Sequence, residues 1–119
     1  MKLSLILLTS ICLTQISFSQ TVPLDSVTSY VGKKITVCSK VQSTFVAKGE
    51  KKTTYLSFGN KFPNAIFTAV IFEGDLAKFK YTPSEYLKDK TICITGKVSI
   101  YKDKPQMIIS SEDEIKIEN

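Results

Sequence analysis

Apolar residues fall along the chain in short periodic runs separated by polar turns, and the runs predict a definite order of elements. Residues 24–32 read as a short helix. Asp25 or Ser26 caps its start, Val27, Tyr30 and Val31 share a face, and Gly32 suits the position just past its end. Over residues 33–46, Ile35, Val37, Val41 and Phe45 alternate with Thr36, Lys40, Gln42 and Thr44, the period of a long half-buried strand. Residues 47–52 form a polar turn around Gly49. A second strand spans 53–58, with Leu56 and Phe58 on one face and Tyr55 and Ser57 on the other. Gly, Asn and Pro cluster in the turn 59–64. A third strand, 65–72, is apolar on both faces, so it is either central in a closed structure or turns part of its apolar side to a partner.

Leu76 and Phe79 anchor a helical or irregular crossing over 73–80. Thr82-Pro83-Ser84-Glu85 is a capping box with proline at the first helical position, which predicts a short helix to about Lys88. After a turn at Asp89-Lys90 come a fourth strand, 91–101, a hairpin turn, 102–105, and a fifth strand, 106–110. Ile115 and Ile117, in the acidic tail 112–119, are placed to cover the base of the fold. Helix, three strands, helix and two strands is the layout of an all-β OB-fold. That is a five-stranded Greek-key barrel with a short N-terminal helix and a short helix between strands three and four. An open α+β sheet is the alternative. The length of the first strand favours the barrel, because such a strand must coil, and Ser39 is a small inward residue where it bends.

The start of the chain is different in kind. Lys2 followed by the apolar run 3–13, with Ser17 and Ser19 in a small-x-small pattern, predicts a signal peptide over 1–19 cleaved before Gln20. The run is shorter than a membrane span needs, and no later segment is long enough, so no membrane contact is expected after cleavage. The domain proper is then residues 20–119, in the periplasm or outside the cell. Its basic residues are all lysine. The chain has no Arg, no His and no Trp. Cys12 leaves with the leader, and Cys38 and Cys93 remain in an oxidising compartment. The barrel sets the first strand beside the fourth, and a Cys38–Cys93 disulfide there closes a loop worth about 3–4 kcal/mol. Otherwise the two pack as small apolar thiols.

Three segments carry a resemblance: SYVGKKITVCSKV, YLSFGNKFPNAIFTAVIF and SEYLKDKTICITGKVSIYKDKPQMII. Over roughly residues 27–109 they resemble a bacterial OB-fold domain family found as small exported proteins and appended to secreted nucleases. Its most specific parts lie between Leu56 and Thr68 and between Thr95 and Gln106. The chain departs from it at Ser39, Asp89 and Asp103, where glycine is commoner. Asp103 places a negative charge in an otherwise basic loop. The resemblance implies nucleic-acid binding.

Absence of histidine removes imidazole-based catalysis, and absence of arginine removes bidentate phosphate clamps. Glu50, Glu73, Asp75 and Glu85 form no spaced carboxylate cluster, so neither enzymatic activity nor a cofactor or metal is expected. In an OB-fold the ligand crosses strands two and three between two flanking loops. That face is Tyr55, Ser57 and part of 67–72. One loop carries Lys48, Lys51 and Lys52, and the other Tyr101, Lys102 and Lys104. Aromatic faces that stack bases and lysines that track phosphates suit single-stranded DNA or RNA. The alternative is a protein- or glycan-binding OB module using an apolar face. The oligomeric state is left open.

Overall fold

The computed structural model describes residues 20–118, so the expected leader lies outside the described residues. Strands are β1 (Gln20–Thr21), β2 (Lys34–Val46), β3 (Thr54–Phe58), β4 (Phe67–Ile71), β5 (Thr91–Tyr101), β6 (Lys104–Ile108) and β7 (Ile115–Ile117). A 3-10 helix (Leu24–Tyr30) precedes β2, and two single-turn helices, α1 (Glu73–Leu76) and α2 (Pro83–Tyr86), separate β4 from β5.

The long β2 closes the barrel by serving two partners. Its residues 34–40 pair antiparallel with β5, and residues 41–46 pair antiparallel with β3. β3 continues antiparallel to β4, β4 runs parallel to β6, and β6 returns antiparallel to β5. The ring β2-β3-β4-β6-β5 is the OB-fold barrel expected from the element order. β1 and β7 extend it on the outer edges of β2 and β5. Phe58, Phe67, Leu56, Ile35, Ile92, Ile94, Met107 and Ile109 fill the interior and are fully buried. Leu87 and Phe79, from the α1–α2 crossing, cap one end of that core.

Cys38 lies directly opposite Cys93 in the β2–β5 ladder and is bonded to it, with the Cα atoms 4.0 Å apart. Two residues along the same face, Thr36 and Thr95 share a 2.7 Å hydroxyl hydrogen bond.

Local differences from the sequence expectation have local causes. The first helix is 3-10, with Pro23 at its N-cap, so neither Asp25 nor Ser26 caps it. The tighter winding leaves Val31 exposed while Val27 is buried. Thr82 does stand at the N-cap of α2, with Pro83 at the first position, yet its hydroxyl makes no capping bond. The N–H groups of Glu85 and Tyr86 both reach the Thr82 carbonyl instead, and the helix ends after one turn. A reciprocal capping box forms at Ser111 and Glu114, where none was expected. β6 begins two residues early at Lys104, because Lys102 and Asp103 alone make the turn at φ 50° and 65°. Both central residues in the left-handed region is the signature of a type I′ hairpin. Asp89, at φ 64°, is another left-handed non-glycine position, in the turn before β5.

Candidate functional site

A β-bulge between Val41 and Ser43 decides which side chains of β2 face out. Strict alternation carries Phe45 inward with Val41. The extra residue reverses the faces, so Phe45 pairs with outward Tyr55 and is exposed. The outer surface then reads directly from the register. Ser43 stands opposite Ser57, Ser57 opposite Thr68, Thr68 opposite Gln106, and Gln106 opposite Ser99. One polar row thus crosses all five barrel strands. Phe45 and Tyr55 lie beside it at one end, and Tyr101 paired with Lys104 at the other.

The loop of residues 59–66 turns this surface into a cleft. Gly59 starts it at φ +84°, and a Cβ there would meet Ile66 Cδ1 at 2.5 Å. The loop is tied down by Ile66 N–H to the Phe58 carbonyl and by Phe62 N–H to Ser43 Oγ, each at 2.9 Å. Phe62 thereby stacks on Phe45, with centroids 4.8 Å apart and planes within 4°. Phe45 also contacts Tyr55 at 6.1 Å. From the opposite wall, Lys104 Nζ donates to the Pro63 carbonyl at 2.9 Å and links the two rims. The space between is an open cleft of about 410 Å³. Phe45, Phe62 and Pro63 form one wall and Tyr101, Lys102 and Lys104 the other, with Thr68 and Gln106 below. Tyr101 is 58% exposed and Phe62 53%, so both offer a ring face to a ligand.

Of the residues singled out in the sequence, Tyr55, Tyr101, Lys102 and Lys104 meet in this cleft. Ser57, expected on the binding platform, is buried and offers no ligand contact. It faces outward by alternation, but the 59–66 loop covers its end of the row, leaving it 1% exposed with an unpartnered Oγ. Residues 67–72 contribute Thr68 alone, since Phe67, Ala69 and Ile71 point into the core. Lys48, Lys51 and Lys52 are exposed on the β2–β3 loop and do not line the cleft. The Lys52 N–H instead donates to Glu73 Oε2 at 3.2 Å.

Phe45, Phe62, Pro63 and Gln106 line the cleft without having been expected there. Phe62 sat in a segment classed as a turn by composition. An aromatic in such a turn was the available signal, since nothing in a polar turn requires one.

A second depression of about 430 Å³ opens between β3 and the α1–α2 crossing, lined by Lys52, Thr54, Phe79, Lys80, Tyr81 and Ser84 among others. Burial, then Glu112 and Tyr86, holds the Tyr81 phenol above its ordinary value. Among the described residues, the cysteine and acidic side chains close enough to share a cation are Cys38, Cys93 and Glu118. Both sulfurs are committed to the disulfide, which leaves one carboxylate as donor. No described helix is long and apolar enough to cross a membrane.

No protein-family model matches the chain, and no curated protein is similar to it in sequence. Among solved structures, it is similar to a putative aspartyl-tRNA synthetase from Leishmania major Friedlin, with a TM-score of 0.48 and 14% identity. The match covers 90% of this chain and 22% of the synthetase.

Proposed function

We propose that this protein is a non-catalytic, exported OB-fold module that binds single-stranded nucleic acid across the Phe62–Tyr101 cleft. The observation that carries this reading is the convergence of exposed rings and lysines on one open groove. Phe45, Phe62, Tyr55 and Tyr101 supply stacking faces, and Lys102 and Lys104 supply positive charge at the rim. Stacking a base on an aromatic side chain is worth about 1–3 kcal/mol and does not depend on sequence. Thr68 and Gln106 add hydrogen-bonding groups that suit the edges of unpaired bases. The Cys38–Cys93 disulfide supports a location in the periplasm or outside the cell.

A protein or glycan ligand is the second reading, favoured by exposed apolar residues outside the cleft lining, such as Ile66 and Ile100, which are 43% and 47% exposed. Salt separates the two. Fluorescence anisotropy with a labelled single-stranded oligonucleotide should show a log–log salt slope of about −2 to −4, as three to five phosphate contacts give. Tyr101→Ala or Phe62→Ala should weaken binding roughly 5- to 150-fold. No binding at low salt overturns the nucleic-acid reading.

A further inference from the structure

The cleft is not the only basic feature of the outer surface. Lys34 and Lys97 stand directly opposite each other in the β2–β5 ladder, both exposed. Like charges so placed destabilise a sheet. Neither has a carboxylate within ion-pair distance, since among the described residues Lys78–Asp75 is the ion pair formed. Lys33, also exposed, follows Gly32 where the chain crosses beside Val98. Two opposed lysines therefore stand together on the barrel without an internal counter-charge, while the Nζ of neighbouring Lys33 lies over the Tyr30 ring at 5.9 Å.

That place is continuous with the cleft. Along β5, Ile92, Ile94 and Val98 are buried, so Lys97, Ser99 and Tyr101 share the outer face. Tyr101 is a wall of the cleft, Ser99 pairs with Gln106 on its floor, and Lys97 is next on the same side. At about 3.3 Å per residue, Tyr101 and Lys97 are about 13 Å apart. A strand leaving the cleft along β5 therefore meets the opposed lysines.

We propose that single-stranded nucleic acid leaves the cleft along the outer face of β5, from Tyr101 past Ser99, and that Lys34 and Lys97 hold its phosphates. The proposal rests on the reading of the cleft as a nucleic-acid site. The occupant is set by charge: an extended polyanion neutralises a lysine pair that the free protein leaves unopposed. The binding track is then longer than the cleft, and its far end recognises backbone rather than bases.

Length dependence tests this. Single-stranded oligonucleotides of about 4 and about 12 nucleotides, both within the site-size range of one OB-fold, are titrated by anisotropy at two salt concentrations. For Lys34→Ala/Lys97→Ala the short oligonucleotide should bind as it does to the unmodified protein, because the cleft is intact. The long one should lose roughly 5- to 20-fold, and its salt slope should become shallower by about 1.4, the value for two single-strand phosphate contacts. A Lys80→Ala/Lys88→Ala variant, equal in charge but off the track, should retain long-oligonucleotide binding. The Lys34→Ala/Lys97→Ala variant should also melt at or above the original temperature, since a repulsion is removed, which excludes misfolding as the cause. Undiminished binding of the long oligonucleotide overturns the track while leaving the cleft. Failure of both lengths to bind the unmodified protein overturns the cleft reading and the track with it.

Discussion

Removing the Cys38–Cys93 bridge should cost about 4 kcal/mol, and the structure explains why that figure belongs to the unfolded chain. The two cysteines are 55 residues apart in sequence. The loop-entropy relation gives about 4 kcal/mol for a loop of that size at 25 °C. Cys38 is exposed and Cys93 half-buried, so Cys38→Ser/Cys93→Ser opens no cavity. The β2–β5 ladder continues on both sides of the pair, from Lys34↔Lys97 to Lys40↔Thr91, so native pairing does not depend on the bridge. Against a typical stability of about 5–15 kcal/mol, the loss is large but leaves a folded protein. For a domain of this size it lowers the melting temperature by roughly 15–30 °C. Urea melts of the oxidised protein, the reduced protein and the double serine variant measure it directly. The reduced and serine forms should coincide, with the oxidised midpoint far above both. Curves for all three within about 1 kcal/mol would refute the reasoning, by showing that the intervening loop is already constrained in the denatured chain.

Three further outcomes follow from particular contacts. Ser57→Ala should raise stability by about 1 kcal/mol in a thermal melt, because the buried hydroxyl it removes has no partner; a clear loss would mean that the hydroxyl is satisfied in solution. Gly59→Ala should destabilise by about 1–3 kcal/mol and weaken ligand binding further, since the new Cβ displaces Ile66 and the loop that carries Phe62; a variant with unchanged binding would detach that loop from the site. Tyr81 holds its proton more tightly when folded than unfolded, so its contribution to stability is whole below about pH 10 and falls as pH rises through the folded value. Tyr81→Phe should flatten melting temperature against pH in that alkaline range, and an unchanged slope would exclude Tyr81 as its source.

Much of the barrel was legible in the sequence, because its strands are bounded by turn residues and alternate cleanly. The span of β5 and the inward Leu56 and Phe58 follow from periodicity alone, and element order sets Cys38 beside Cys93, but the bond between them is read from the structure. The cleft was only half legible. Tyr101, Lys102 and Lys104 belong to a hairpin whose geometry is local, so their neighbourhood follows from the turn. Phe45 was misassigned because one bulged residue reverses a face, and no residue type at Gln42 announces a bulge. Ser57 was misplaced because the 59–66 loop that follows its own strand folds back over it, and alternation reports a side chain's face rather than what lies over it. The opposed Lys34 and Lys97 were hidden as well, since only the register between β2 and β5 brings together residues more than sixty positions apart.

The central claim concerns a place as well as a ligand, so the most direct test maps the contact. Backbone amide shifts of the protein from Gln20 on should be followed by NMR as a short single-stranded oligonucleotide is added. The account predicts perturbations centred on Phe62, Thr68, Tyr101, Lys102 and Gln106, with the opposite ends of β1 and β7 unmoved. Absence of shifts, or shifts centred on the β1–β7 side of the barrel, would contradict it.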